Sequence, residues 1–202
     1  MADHRRRRRK RRAHPRRFAV IAAAVLVLAA VGVGITLTLD AFREETARMY
    51  PMAYVDSIRE YAAQNGLEPA HVAAVVLAES SYDPQATSPV GAQGLMQVMP
   101  ETGEWIAGKL DETYTEGCLY DPETNLRYGC WYLGFLMRRY DGDRTCAMAA
   151  YHSGQGTVDG WLQDPEYSTD GRTLNVIGGK NANTYVSRVL EYYEKYEKLY
   201  RS

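Results

Sequence analysis

Residues 18–39 read FAVIAAAVLVLAAVGVGITLTL, 22 consecutive positions without a charge. As a helix rising about 1.5 Å per residue, such a run spans the roughly 30 Å hydrocarbon core of a bilayer. A cleaved signal peptide has a shorter apolar region, about 7 to 15 residues, followed by a small-x-small site. This run is longer and passes into TLTLDAF, with no cysteine near its end for lipid attachment. The expectation is an uncleaved membrane anchor.

The run also separates two pieces of opposite charge. Residues 1–17, MADHRRRRRKRRAHPRR, hold ten of the 24 Lys/Arg but one of the 25 Asp/Glu, about +9 locally; the rest carries about −10, although the chain sums to −1. Arginines directly before an apolar span predict that this end stays in the cytoplasm and that the residues beyond the span lie outside the cell membrane. Ten cations would also grip nucleic-acid phosphates, but beside a span they read as a topology signal that touches anionic lipid. No nucleic-acid partner is expected. The sequence thus predicts a basic cytoplasmic tail at 1–17, a single-pass anchor at 18–39, a short polar connector at 40–50 and one extracytoplasmic domain at 51–202, large enough for an ordinary core.

Within that domain the periodicity is helical and strand signals are scarce. PMAYVDSIREYAAQNG predicts a helix from Pro51 to Gly66, with Tyr54, Ile58 and Tyr61 on one stripe. EPAHVAAVVLAES predicts a second, apolar on nearly all sides and so central. SYDPQATSPVGAQG is rich in turn formers and reads as a loop. GLMQVMPETGEWIAGKL resumes helical character, and YDPETNLRYGCWYLGFLMRRYDG comes next, with Thr124 or Asn125 as its cap and Gly142 as its stop. DRTCAMAAYHSGQG predicts a short helix between Asp143 and Gly154, WLQDPEYSTDGRTLNVIGGKNAN a surface excursion, and TYVSRVLEYYEKYEKLY a final amphipathic helix whose tyrosines pack inward. Cys118, Cys130 and Cys146 lie where disulfides persist; they allow one bridge in any of three pairings, or three buried thiols. Without Cys-x-x-Cys or paired-His spacing, neither a metal nor another cofactor is expected.

The chemical signal is Glu79, which ends the apolar helix with no Lys or Arg within ten positions. Burial penalises the charged form of a carboxyl, so its pKa should rise and leave an acid able to donate a proton near neutral pH. A helix-end glutamate turned to water is the alternative.

The residues after Glu79 bear on that choice. Glu79-Ser80, Tyr82-Asp83-Pro84, Ser88-Pro89-Val90-Gly91-Ala92 and the run from Gly94 to Pro100, GLMQVMP, resemble nearly position for position the signature of the soluble lytic transglycosylase (SLT) catalytic domain family, related to goose-type lysozyme. YDPETNLRYGCWYL, AAYHSGQGTV and TYVSRVLEYYEKY are similar to further family landmarks in the same order, so the resemblance covers about residues 51–196. It implies an all-α, lysozyme-like globular domain that cleaves peptidoglycan between N-acetylmuramic acid and N-acetylglucosamine, leaving 1,6-anhydromuramoyl ends. It also implies that Glu79 serves first as acid and then as base, that Tyr185 hydrogen-bonds its carboxyl, and that Ser88 lies near the substrate acetamido group. Met96, Gln97, Tyr151 and His152 are expected to line the cleft: Met96 as an adaptable apolar wall, Gln97 through its amide, His152 as a polar wall rather than an acid or base. The chain departs from the family at His152, usually Asn, at Ser153, usually Ala, and at VIGGKNAN, which lacks the Pro-Glu-Thr before the tyrosine and puts the support of Tyr185 in question. Two other readings compete. A hydrolytic muramidase would need a carboxylate such as Asp83, Asp121 or Asp159 to activate water, and a catalytically silent module would bind wall without cutting it.

Overall fold

Helix α1, Pro15–Met49, is 35 residues long. The structure, a computed structural model, describes residues 15–201, so most of the basic tail expected at 1–17 lies outside the described residues. The chain divides into a unit ending at Met49 and a second beginning at Tyr50. Within α1 the stretch Ala23–Thr46 is long and apolar enough to cross a membrane. Leu26 and Leu28 are each 70% exposed, and Val, Ile and Leu side chains are open on every face, so the helix has no internal core to serve. Thr36 and Thr38 donate their hydroxyls to the carbonyls of Val33 and Ile35, both at 2.8 Å, which satisfies these polar groups within the helix. The connector expected at 40–50 is helical as far as Met49, because Ala, Arg and Glu are good helix formers and no Gly or Pro interrupts them before Pro51.

The second unit contains α2 (Val55–Gln64), α3 (Pro69–Ser80), α4 (Pro100–Lys109), a 3₁₀ turn (Cys118–Tyr120), α5 (Pro122–Arg139), α6 (Arg144–Ser153), α7 (Gln155–Gln163) and α8 (Lys180–Arg201). No strand is formed among the described residues, only isolated bridges pairing Thr87 with Gln93 and Gln93 with Val98. At the centre is α3, with Val72, Ala73, Ala74, Val75 and Val76 all fully buried. Small and β-branched side chains on every face let neighbouring helices approach from all sides. The most extensive packing is against α8, whose Tyr185, Val186, Val189 and Tyr196 are buried. His71, also on α3, is enclosed between Met148, 3.3 Å from its Nε2, and the Tyr193 ring, and burial holds it down at about 4, hence neutral.

Several boundaries differ from the sequence reading. Helix α2 starts at Val55 rather than Pro51, because Tyr54 takes a left-handed conformation (φ 56°) and the Pro51 carbonyl is held by the Tyr196 hydroxyl at 2.8 Å. The cap of α5 is Asp121, whose carboxylate accepts from both the N–H and the hydroxyl of Thr124 at 2.8 Å; neither Thr124 nor Asn125 caps it. Helix α7, its period obscured by Gly156 and Gly160, starts at Gln155 and runs into the first three residues of the expected surface excursion. Helix α8 begins at Lys180, five residues before Tyr185. All three cysteines are free thiols: Cys130 and Cys146 are buried and Cys118 is partly so.

The segment 94–99, expected to open a helix, is a tight loop, and α4 starts only at Pro100. The cause is the fully buried Asn125. Its Oδ1 accepts from Met96 N at 2.7 Å, and its Nδ2 donates to the carbonyls of Gln93 (2.8 Å) and Leu119 (2.7 Å). The loop backbone is thereby satisfied by a side chain instead of by helical bonds. Gly94 (φ 76°) sits so close to this amide and to the Leu119 carbonyl that a Cβ would overlap both. Gly94→Ala is expected to cost about 2–4 kcal/mol, combining overpacking with a disfavoured φ. Urea unfolding measures it, and a change below about 0.5 kcal/mol would show that the loop re-seats freely.

Candidate active site

Glu79 is the second-last residue of α3, and the chain behind it is locked. Ser80 donates its hydroxyl to the Leu95 carbonyl at 2.8 Å, tying the helix end to the GLMQ loop. Ser81 (φ 53°) and Tyr82 (φ 68°) both turn left-handed and reverse the chain at once. Two consecutive non-glycine residues in that region carry strain, and such strain clusters at functional sites.

The carboxyl itself is half-buried and accepts a hydrogen bond from the Tyr185 hydroxyl, 2.6 Å from Oε1. Burial is the largest influence on it and raises its pKa from the ordinary 4.5 to about 7, against the opposing pull of the Tyr185 hydrogen bond and the Arg188 charge. The glutamate therefore exchanges its proton near neutral pH. Around it, Tyr185 and Tyr151 have hydroxyls pushed well above the usual tyrosine range, first by burial and then by the facing Glu79 charge, so both remain donors. Tyr151 donates to the Met96 carbonyl at 2.8 Å.

His152 stacks on the Tyr185 ring, centroids 4.6 Å apart and planes 17° from parallel. Burial and the Arg188 charge lower its pKa, so it stands as a neutral ring against the tyrosine. This contact, with the near-complete burial of Tyr185 itself, supports the tyrosine in a chain that lacks Pro-Glu-Thr before it.

The other expected site residues divide. Ser88 is half-buried in the loop, its hydroxyl oxygen accepting from Ala92 N at 3.0 Å. Gln97, in a left-handed conformation (φ 48°), spends its amide donors on the carbonyls of Ala86 (3.1 Å) and Gly94 (2.9 Å). Those donors brace the loop, and the amide oxygen is left to accept from a ligand. Met96 is corrected. Its side chain is fully buried against Gly129, leaving no thioether surface to line a cleft. Volume decides this, since only a glycine on α5 lets the methionine seat so deeply. Sequence reasoning missed Arg188 and, although it placed Ser80 in the signature, gave it no role. Arg188 lies one helical turn after Tyr185 and so shares its face, a spacing that would have found it.

The three carboxylates a water-activating mechanism would recruit are engaged elsewhere. Asp83 accepts from Gln85 N at 2.9 Å, Asp121 caps α5, and Asp159 pairs with Arg139 while accepting from the Tyr140 hydroxyl at 3.1 Å. Among the described residues no cluster of His, Cys, Asp and Glu is arranged to hold a metal ion.

With this geometry the chain matches the Transglycosylase SLT domain over residues 56–172, and it belongs to that family. It is 32% identical over 146 residues to the soluble lytic murein transglycosylase of Escherichia coli (strain K12), covering 71% of this chain and 23% of that protein. It is 33% identical over 121 residues to the membrane-bound lytic murein transglycosylase C of Serratia proteamaculans (strain 568), covering 52% and 32%. Its fold is similar to an inactive glutamate-to-glutamine mutant of the lytic transglycosylase Slt from Pseudomonas aeruginosa, with a TM-score of 0.69 at 31% identity over 75% of this chain and 25% of that one. The chain thus spans about a quarter to a third of the length of these relatives.

The raised Glu79 pKa sets a stability test. A carboxyl whose folded pKa lies above its unfolded value stabilises the fold fully only below the unfolded value, and that contribution is lost as pH rises through the folded one. Glu79→Gln removes the titration while keeping the shape and the acceptor for Tyr185. The variant is expected to gain stability over wild type as pH rises from 4.5 towards 7, by up to roughly 3 kcal/mol, with the gap closing below pH 4.5. Denaturant midpoints across that range measure it; a pH-independent difference would contradict a buried, titrating Glu79.

Proposed function

We propose that the chain is a membrane-anchored lytic transglycosylase that cleaves the β-1,4 bond between N-acetylmuramic acid and N-acetylglucosamine in peptidoglycan. The single observation that carries this reading is Glu79: a carboxyl at the end of a buried helix, shifted to about 7 and aimed by the Tyr185 hydroxyl at 2.6 Å, in a chain of the SLT family.

In this reading neutral Glu79 gives its proton to the glycosidic oxygen as the bond from the anomeric carbon breaks and the electron pair leaves with that oxygen. The muramoyl six-hydroxyl then closes onto the anomeric carbon, and its proton returns to the Glu79 carboxylate, which restores the acid. Nothing is consumed and a 1,6-anhydro ring is left. One carboxyl acting twice needs no second carboxylate, unlike the ordinary two-acid glycosidases, and the engagement of Asp83, Asp121 and Asp159 in structural bonds favours this over hydrolysis. Tyr185 steadies the carboxyl in both states because its own proton stays in place. Ser88 and the amide oxygen of Gln97 supply polar contacts to the sugar, and Tyr151 and His152 wall the cleft.

Helix α1 would hold the domain at the cell membrane, with the arginine-rich end in the cytoplasm and the domain from Tyr50 onward outside. The exposed apolar surface of α1 and the membrane-bound relatives support this placement. The domain boundary then falls at the end of α1, near Met49.

Digestion of purified sacculi with product mass spectrometry tests the activity. Wild type should release muropeptides lighter by one water than the hydrolysis products, and Glu79→Gln should lower the rate between about a hundredfold and ten-thousandfold while remaining folded. Hydrated products would mark a muramidase, and binding to sacculi without release would mark a silent module.

A further inference from the structure

Trp105, on α4, is a large apolar side chain left 38% exposed although aromatic neighbours surround it. Trp131, Phe135 and Tyr132 meet it edge-on, with centroids at 5.3, 5.4 and 6.3 Å, and Trp131 and Phe135 are themselves stacked at 5.8 Å. Three rings therefore fix its orientation, so its exposed surface is pre-organised rather than floppy. Beside it opens a cavity of about 280 Å³ lined by Trp105, Tyr132, Glu101, Thr102 and Gln155. This is the small end of ligand-sized pockets. An indole and a phenol ring flank it, while a carboxylate, a hydroxyl and an amide supply hydrogen-bonding groups.

The cavity continues the wall of the site already described. Its Tyr132 ring lies 5.5 Å from the Tyr151 ring, and Tyr151 is close enough to Glu79 to feel its charge. Gln155 comes three residues after His152, which stacks on Tyr185. A strand lying over Glu79 is thus led by Tyr151 and Tyr132 towards Trp105. Lys109, one turn further along α4, is exposed and places its ammonium over the Trp105 ring, 5.8 Å from the centroid.

We propose that this cavity is a remote glycan subsite, in which Trp105 offers an aromatic platform to the C–H face of an N-acetylhexosamine ring several units from the reacting bond. Glu101, Thr102 and Gln155 then bind the hydroxyl and acetamido groups at the ring's edge. The subsite rests on the transglycosylase reading and sets which strands are held, favouring those long enough to cover Glu79 and Trp105 together.

The test uses glycan strands of graded length with the full chain in detergent. Binding is measured on Glu79→Gln with and without Trp105→Ala, and turnover on wild type with and without Trp105→Ala. Affinity should rise with strand length until Trp105 is reached, and Trp105→Ala should remove that step, weakening long-strand binding and raising the long-strand KM by about tenfold. Trp105→Phe, which keeps a ring, should restore part of it. The Trp105 indole N–H resonance in Glu79→Gln should shift on adding long strands but not short ones, a readout that stands if Trp105→Ala fails to fold. Loss of affinity with no wild-type turnover would overturn the transglycosylase reading while leaving the subsite in place. Normal turnover with no length step and no shift of that resonance would overturn the subsite alone, as would an equal affinity loss for every length or a resonance that answers only to detergent or lipid.

Discussion

A carboxyl group at the buried end of α3 costs the fold free energy whenever it is ionised, and the surrounding structure holds it there. Packing of α8 and α2 against α3 removes much of the water around this end of the helix, and the same α8 supplies Tyr185 as hydrogen-bond partner and Arg188 as nearby charge. Burial pushes the pKa up and those two groups pull it back, and burial is the larger influence. The balance leaves a group near the midpoint of its titration at neutral pH, where a residue that must give and then retrieve a proton is best placed. In the proposed reaction, stability and catalysis draw on this residue in opposite directions, as is common where a site is tuned by desolvation.

The rest of the site is built to keep that carboxyl still. Asn125 substitutes for a stretch of secondary structure, satisfying three backbone groups around the GLMQ loop from inside the core. Gln97 does the same from the solvent side, and Ser80 fastens the helix end to the loop. Polar side chains that look like ligand contacts in the sequence are thus partly consumed in holding backbone. The left-handed residues Ser81, Tyr82 and Gln97 persist because these bonds over-determine the loop. His152, the departure from the family's asparagine, contributes a flat neutral ring that packs on Tyr185, so the tyrosine is braced from a different direction.

Much of this architecture is legible in the sequence where one physical rule dominates. The uncharged run at 18–39 announces a helix with no core to bury it, and the apolar stretch before Glu79 announces a central helix ending in an acid. Asp143 and Gly154 mark the ends of α6 correctly because capping is local. The sequence is less informative where tertiary contacts override local preference. GLMQVM has helical composition but is pulled into a loop by a side chain 29 residues away. Met96 looks like a cleft wall because nothing in its neighbourhood reveals that Gly129 makes room for it. The left-handed turn at Tyr54 delays α2, and the glycines of α7 hide a helix with a single buried residue, Val158.

Above all, Glu79 in the resting protein must be poised to exchange a proton near neutral pH. Selective ¹³C labelling of glutamate, with Glu79 assigned by comparison with Glu79→Gln, allows the carboxyl to be titrated directly by NMR. The expected midpoint is near 7. A midpoint at 4.5, the ordinary value for such a carboxyl, would contradict the role given to Glu79.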